Sequence, residues 1–338
     1  MSEQEESEPA STLRLFTADF SPDGKTLITA GLEGTLAEWD AETGQRARVL
    51  LDPKGVEDAN PRVVCIKDGR EVEASFQLRR LSESMRGSSL LSVRFSPDGK
   101  YFAVGAANGE VVVWNAQSRG ELFGWRAHKV DVVALDFSPD RRWLATGAHE
   151  EGGTTFRVWR LQEYPVDVQE VFSDYHHMCG VWAVCFSPDG RLVGAGGWTM
   201  SGYTAPKLYE VKTGKHVGAF YYDITRALRF SPNGKLFVTG DEFGSVKLWS
   251  LKKEKPVYEF KVFENIVRAV GFSPDGKRFF SGSDDAGVKV WDTKTGRLVQ
   301  EYAIEGRILT CRYSQDGRLV FAASAAKDAD HPAIHRLD

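Results

Sequence analysis

A chain of 338 residues with 42% hydrophobic and 27% charged residues has the composition of a folded globular protein rather than a disordered or fibrous one. Its longest apolar runs fall short of the ~18 residues needed to cross a bilayer as a helix. The formal net charge of −4 offers no global attraction to nucleic acid or anionic membrane, so neither is an expected partner.

The first twelve residues, MSEQEESEPAST, lack the basic start and apolar stretch of a secretory signal. They are expected to form a disordered acidic tail. From residue 13 onward the chain reads as a series of β units, each with a turn motif followed by a large aromatic. The first unit carries FSPDGK at 20–25 and Trp39, the second FSPDGK at 95–100 and Trp114, and the third FSPDRR at 137–142 and Trp159. FSPDGR at 186–191 precedes Tyr209, FSPNGK at 230–235 precedes Trp249, FSPDGK at 272–277 precedes Trp291, and YSQDGR at 313–318 precedes His335. Five of the six intervals between the leading aromatics lie between 41 and 49 residues, and the first is 75. A period of roughly 40–45 residues marks a repeat architecture whose units bury their apolar faces by stacking, so the chain from 13 to 338 is expected to be one domain. The long first interval places an insertion at about 52–88. Within it, VVCIKDGREVEASF (63–76) has Asp-Gly flanked by alternating apolar residues, the signal of a hairpin.

Within one unit, residues 266–297, three short runs rich in Val, Phe and Trp alternate with turn-forming segments. The Pro-Asp-Gly core of each motif suits a tight turn: Pro fixes φ, Asp bonds its own backbone and Gly accepts positive φ. The helical period is absent, so the fold class is all-β. Cys65, Cys179, Cys185 and Cys311 show no CxxC-type spacing, which argues against a zinc site and a disulfide framework. A reducing compartment follows, the cytoplasm by default and the nucleus as the alternative in a eukaryotic cell.

The runs SGSDDAGVKVWDTKTG (281–296), TGDEFGSVKLW (239–249) and VGAANGEVVVWN (104–115) resemble the WD-repeat family, whose units form four-stranded β-propeller blades. The resemblance covers nearly the whole chain and implies a seven-bladed propeller. Family repeats also carry a His before the first strand and an Asp in the turn before the last, bonded to a strand Ser/Thr and the Trp. Here His128 keeps the His and Asp285 keeps the Asp in a different repeat, so apolar stacking is expected to hold the blades. The last unit supplies only a third strand, HPAIHRLD, which leaves the closure of the ring open or covered by a partner.

The family is a poor guide to function, which lives in sites. By resemblance, the position four before each leading aromatic lies at the channel rim of the wide face: Phe16, Leu91, Val133, Trp182, Arg226, Arg268 and Leu309. Loops of blades four to six add Tyr175, Trp198, Tyr203, Tyr221, Tyr222, Phe243 and Phe263 beside the two arginines. Aromatic residues and Arg are the types enriched at binding hot spots, so this sector is the expected contact surface for a protein or peptide partner within a multi-protein complex. Two ordinary roles stay open: Tyr221 and Tyr222 packing between blades, and the arginines pairing with acidic loop neighbours. The position three before each aromatic, expected to line the channel, reads Thr17, Ser92, Ala134, Ala183, Ala227, Ala269 and Thr310, small and neutral. That differs from propeller hydrolases, the rival class, with metal-binding carboxylates around the channel. No catalytic residue, cofactor or metal is expected. His176 and His177 lack a completing ligand, and RRLS at 79–82, a kinase-like match at Ser82, reads as a polar loop.

Overall fold

Every turn motif builds the same local structure. In the first copy the Ser21 hydroxyl donates to Asp23 Oδ1 at 2.5 Å, the Lys25 N–H reaches the same oxygen at 3.1 Å, and the Thr26 N–H donates back to Ser21 Oγ at 2.9 Å. Gly24 sits at φ 70°, where a side chain is disfavoured. The serine is thus as much a part of the turn as Asp and Gly. It recurs as Ser96, Ser138, Ser187, Ser231, Ser273 and Ser314, each bonded to the acid or amide two residues on. In the third copy Arg141 takes the glycine position at φ 62°.

The computed structural model describes residues 15–52, 64–67, 70–73, 85, 87–149, 155–163, 166–174, 180–198, 206–220, 224–253, 255–285, 287–304, 306–314, 316–324 and 332–337. The turns connect strands into radially arranged antiparallel sheets. The first sheet is β1 (Leu15–Phe20), β2 (Thr26–Gly31), β3 (Leu36–Asp40) and β4 (Arg46–Leu51), followed by the separate hairpin β5 (Val64–Lys67) and β6 (Arg70–Glu73). The second is β7 (Leu90–Phe95), β8 (Tyr101–Ala106), β9 (Glu110–Asn115) and β10 (Glu121–Arg126), and the third β11 (Val132–Phe137), β12 (Trp143–Ala148), β13 (Phe156–Glu163) and β14 (Val166–Asp174). The fourth is β15 (Gly180–Phe186), β16 (Leu192–Trp198), β17 (Lys207–Glu210) and β18 (His216–Ala219), and the fifth β19 (Thr225–Phe230), β20 (Leu236–Asp241), β21 (Ser245–Ser250) and β22 (Tyr258–Lys261). The sixth is β23 (Val267–Phe272), β24 (Arg278–Ser283), β25 (Gly287–Asp292) and β26 (Leu298–Tyr302). The last is β27 (Ile308–Tyr313), β28 (Leu319–Ser324) and β29 (Pro332–Leu337), three strands only.

The expectation of seven blades is corrected accordingly: the structure holds six four-stranded blades, and the remaining arc is filled by a three-stranded sheet. No strand pairs with the outer edge of β29 among the described residues. The innermost strands still meet all the way round, with β1 packed against both β7 and β27. A buried apolar cluster joins the first blade to the last sheet through Phe20, Leu27 and Trp39 on one side and Val320 and Ala322 on the other. Side-chain burial at the inner strands therefore closes the ring.

The blade cores are built on the aromatics that end the third strands. Trp114 stacks on Phe102, Trp249 on Phe237 and Trp291 on Phe279, at centroid distances of 5.9, 5.9 and 6.1 Å, as cross-strand neighbours. Four indole N–H groups donate to second-strand hydroxyls: Trp39 to Thr29, Trp159 to Thr146, Trp249 to Thr239 and Trp291 to Ser281. His128 joins Thr146 at 2.7 Å. The third blade thus carries a linked His128–Thr146–Trp159 set beside its apolar packing. In the second blade Val104 occupies the hydroxyl position, and Trp114 Nε1 is buried without a partner.

Candidate functional site

The first strands share one irregularity. In each, the pairing register slips at the position four before the leading aromatic: at Phe16, Leu91, Val133, Trp182, Arg226, Arg268 and Leu309. A β-bulge re-aims a side chain out of the regular alternation. Seven bulges at one height deliver seven side chains to the mouth of a central cavity of about 760 Å³. The rim residues read from the sequence are those seven.

In blades four and five the rim becomes a continuous stack. Trp198 lies parallel to Trp182, at 6.5 Å between centroids and 9° between planes, and the Arg226 guanidinium sits 3.3 Å from the centre of the Trp182 ring. His149 flanks Trp182 at 6.0 Å. The close approach depends on Gly180, where a Cβ would stand 2.8 Å from His149 Cδ2 and 3.2 Å from Trp198 Nε1. Arg226 Nη2 donates to Glu242 Oε2 at 3.0 Å, and Arg268 Nε to Asp284 Oδ2 at 2.6 Å. The pairing with acidic loop neighbours left open by the sequence is therefore realised for both arginines. A third cation, Arg307, lies 4.8 Å from the Phe16 ring centre. Burial pushes the Arg226 and Arg307 guanidinium groups down from their ordinary value, Glu242 opposes this at Arg226 and Asp284 at Arg307, and Arg268 lowers both. Arg226 Nε, Arg307 Nε and Trp198 Nε1 are buried N–H groups with no hydrogen-bond partner, and the Asp284 Oδ1 acceptor is likewise unmatched.

Of the ten residues expected to contact a partner, the structure brings Trp182, Trp198 and Arg226 into direct contact and sets Arg268 on the adjoining rim. Phe243 is 55% exposed in the β20–β21 turn next to Glu242. Phe263 is a correction. It is 3% exposed, packed in the apolar core of blades five and six with the Lys289 ammonium 5.4 Å from its ring centre. Its carbonyl lies against Gly244, where a Cβ would stand 2.0 Å away and φ is +89°, so the link is clamped with the ring inward, as His128 is against Gly109. Tyr175, Tyr203, Tyr221 and Tyr222 lie outside the described residues, as do Ser82, His176, His177, Cys179, the first twelve residues and most of the 52–88 stretch. Met85, near the end of that stretch, is buried in the core of the first two blades.

The channel lining is a second correction. Thr17, Ser92, Ala134, Ala183, Ala227, Ala269 and Thr310 do line the cavity, but the same strand face recurs two residues later. One position before each aromatic the sequence reads Asp19, Arg94, Asp136, Cys185, Arg229, Gly271 and Arg312, and all of these but Cys185 line the same cavity, forming a charged waist. Arg94 Nη1 is 3.3 Å from Asp19 Oδ1 and Arg94 Nε 3.7 Å from Asp136 Oδ1, and Arg312 Nη1 is 3.8 Å from Asp19 Oδ1. Burial pushes the Asp136 carboxyl up despite Arg229 and Arg94, and holds the Cys185 thiol up at about 11. Cys185 is therefore a neutral thiol near pH 7 rather than an activated nucleophile. Among the described residues no group of three or more His, Cys, Asp or Glu side chains is placed to hold a metal ion. The same residues contain no helix long and apolar enough to cross a membrane.

Comparison with known proteins agrees with this architecture. The family described as WD domain, G-beta repeat matches residues 9–40, 77–115, 120–160, 169–201, 216–250 and 254–292, well over half of the chain. The chain is 26% identical over 249 residues to apoptotic protease-activating factor 1 of Rattus norvegicus, covering 67% of this chain and 18% of the relative. It is 24% identical over 246 residues to protein hir1 of Schizosaccharomyces pombe (70% and 20%), and 24% over 246 residues to U3 snoRNP-associated protein-like EMB2271 of Arabidopsis thaliana (70% and 44%). The match thus spans less than half the length of each of these relatives. Repeated turns, third-strand aromatics, four-stranded blades and six repeat matches together place the chain in the WD-repeat family.

Proposed function

We propose that the chain is a non-catalytic scaffold or adaptor that holds a protein or peptide partner across the wide face of the propeller, over blades four to six. The observation that carries this reading is the Trp198–Trp182–Arg226 stack with three buried N–H groups lacking acceptors at the channel mouth. Buried donors are normally satisfied, and leaving one unmet costs about 1–3 kcal/mol. A partner whose docking shifts these side chains enough to bring acceptors to them recovers that cost, while the indoles supply apolar walls. The fitting partner segment carries an acidic group beside an apolar side chain, because Arg226, Arg268 and Arg307 can make charge-assisted bonds to it. Phe243 extends the surface, and Tyr175, Tyr203, Tyr221 and Tyr222 belong to the same proposed sector by sequence position. The three-stranded sheet counts in this reading as an unfinished seventh blade.

The non-catalytic part of the reading draws on Cys185, a buried neutral thiol, and on the ion pairing of the channel carboxylates with arginines. Membership in an assembly draws on the family and on the name of the Arabidopsis relative, which is associated with U3 snoRNP. A peptide array probed with the purified protein tests the specificity. Enrichment of peptides with Asp or Glu next to an aromatic or aliphatic residue is the expected outcome. Enrichment of Lys- and Arg-rich peptides contradicts it.

A further inference from the structure

The waist of the channel contains three guanidinium groups and two carboxylates, and their pairing is uneven. Asp19 is shared by Arg94 and Arg312, while its Oδ2 accepts the Phe95 N–H at 2.8 Å. Asp136 faces Arg94, and its Oδ2 accepts the Phe186 N–H at 2.8 Å. The contact ion pairs of both acids thus lie with Arg94 and Arg312, while Asp136 and Asp19 also act on Arg229 at longer range. Arg229, on the opposite side, stands between Cys185 and Gly271, one a neutral thiol and the other without a side chain. Its Nη1 donates to the Leu228 carbonyl at 2.9 Å and the Val184 carbonyl at 3.3 Å, and no carboxylate oxygen of the described residues comes within salt-bridge distance of it. The waist carries one more guanidinium than carboxylates, and Arg229, which Asp136 and Asp19 favour in its charged form only from beyond salt-bridge distance, is the one without a contact ion pair.

A cavity lined by an excess of one charge raises the local concentration of the opposite ion. Guanidinium matches oxyanions in both charge and geometry, and the cavity, at about 760 Å³, has room for one. We propose that the channel waist is a binding site for a single small oxyanion, held by Arg229 with the long-range support of Arg94 and Arg312. The site involves none of the mouth residues on which the partner-binding reading rests, so either can fail without the other.

Inorganic phosphate is the probe, measured by equilibrium dialysis or calorimetry on the full chain at constant ionic strength. One saturable site is expected, with affinity falling tenfold or more in Arg229→Gln and unchanged in Arg226→Gln. Arg229→Lys, which keeps the charge, should retain part of the affinity and serves if the Gln variant misfolds, which tryptophan fluorescence reports. A glutamate-rich peptide titrated against bound phosphate separates two sources of the oxyanion: displacement assigns the site to an acidic side chain of a partner, and no displacement assigns it to the free ion. Absence of saturable binding overturns the proposal. So does binding that survives Arg229→Gln undiminished, or binding lost in Arg226→Gln alone.

Discussion

Replacing Thr146 with Val removes one hydroxyl and leaves two buried groups without their bond, because Thr146 Oγ1 holds both the Trp159 indole at 3.0 Å and the His128 ring at 2.7 Å. Trp159 and His128 are both buried, so each orphaned group costs about 2 kcal/mol. The new methyl returns about 1 kcal/mol of apolar transfer, and the expected destabilisation is about 3 kcal/mol. Thr239→Val is the internal control. Thr239 takes the Trp249 indole at 2.9 Å with no histidine in the place of His128, so the same arithmetic gives about 1 kcal/mol. The difference of about 2 kcal/mol isolates the histidine contribution. Urea unfolding followed by tryptophan fluorescence reads both variants as midpoint shifts at constant slope. Equal losses in the two variants would show that the His128 bond adds nothing to the third blade.

Three further outcomes follow from the same structure. Val104→Thr supplies a hydroxyl to the orphaned Trp114 N–H and is expected to stabilise the protein by about 1 kcal/mol, a rise in urea midpoint that a fall would contradict. Arg119 and Arg141 both sit at φ 62°, where Gly relieves about 1 kcal/mol of strain. Arg119, however, makes a two-bond pair with the largely buried Glu38, so Arg119→Gly should lose about 2 kcal/mol net by stranding that charge. Arg141→Gly gives up a half-exposed pair with Asp98 at 3.2 Å and a contact with the Tyr101 ring at 5.8 Å and should be near neutral; a loss as large as that of Arg119→Gly in thermal melts refutes the reasoning. The turn acids set the acid limit. At Asp189, burial alone raises the carboxyl, but bonds from Ser187 and from the Arg191 backbone and guanidinium outweigh it and hold it at about 2. Asp23 and Asp98 are lowered against the same burial effect, and at Asp275 and Asp316 the serine bond is the largest influence. Depressed carboxyls contribute stability that is complete above their unfolded value near ~3.9 and lost as pH falls toward 2. Denaturant midpoints should therefore hold from pH 7 to about 5 and fall below 4, with a smaller fall in Asp189→Asn.

What the sequence revealed depended on whether one residue carried its own signal. The turns did, since Ser, Asp and Gly act within six residues of one another; the rim positions came from the family resemblance, and the structure gives the reason in a bulge at the same offset of every first strand. The charged waist was missed by two residues on one strand face. Taking the position three before the aromatic as the lining put alanines in view, although Asp19, Arg94, Asp136, Arg229 and Arg312 stand on the same face by the strand period. Phe263 reads as exposed because it lies in the loop segment VFENIVR (262–268), but its backbone is pinned by Gly244 and its ring turns into the core. Arg307 and His149 were not legible. Their roles depend on Phe16, distant in sequence but adjoining across the ring closure, and on Trp182 in the next blade, contacts set by ring closure and blade stacking rather than by any local pattern.

The proposed binding surface is the mouth of blades four to six. Proteins captured from the source cell by the wild-type chain, identified by mass spectrometry and then measured individually for affinity, test it most directly when Trp182→Ala, Arg226→Ala and Lys25→Ala are run in parallel. Lys25 is exposed in a turn at the other end of the first strand from the rim. Truncating a hot-spot residue costs ~2 kcal/mol or more, about thirtyfold in affinity. Trp182→Ala and Arg226→Ala should each weaken the captured partner by that factor with the circular dichroism spectrum unchanged, and Lys25→Ala should leave it untouched. Loss of the partner in Lys25→Ala with full retention in the other two would contradict the assignment of the site.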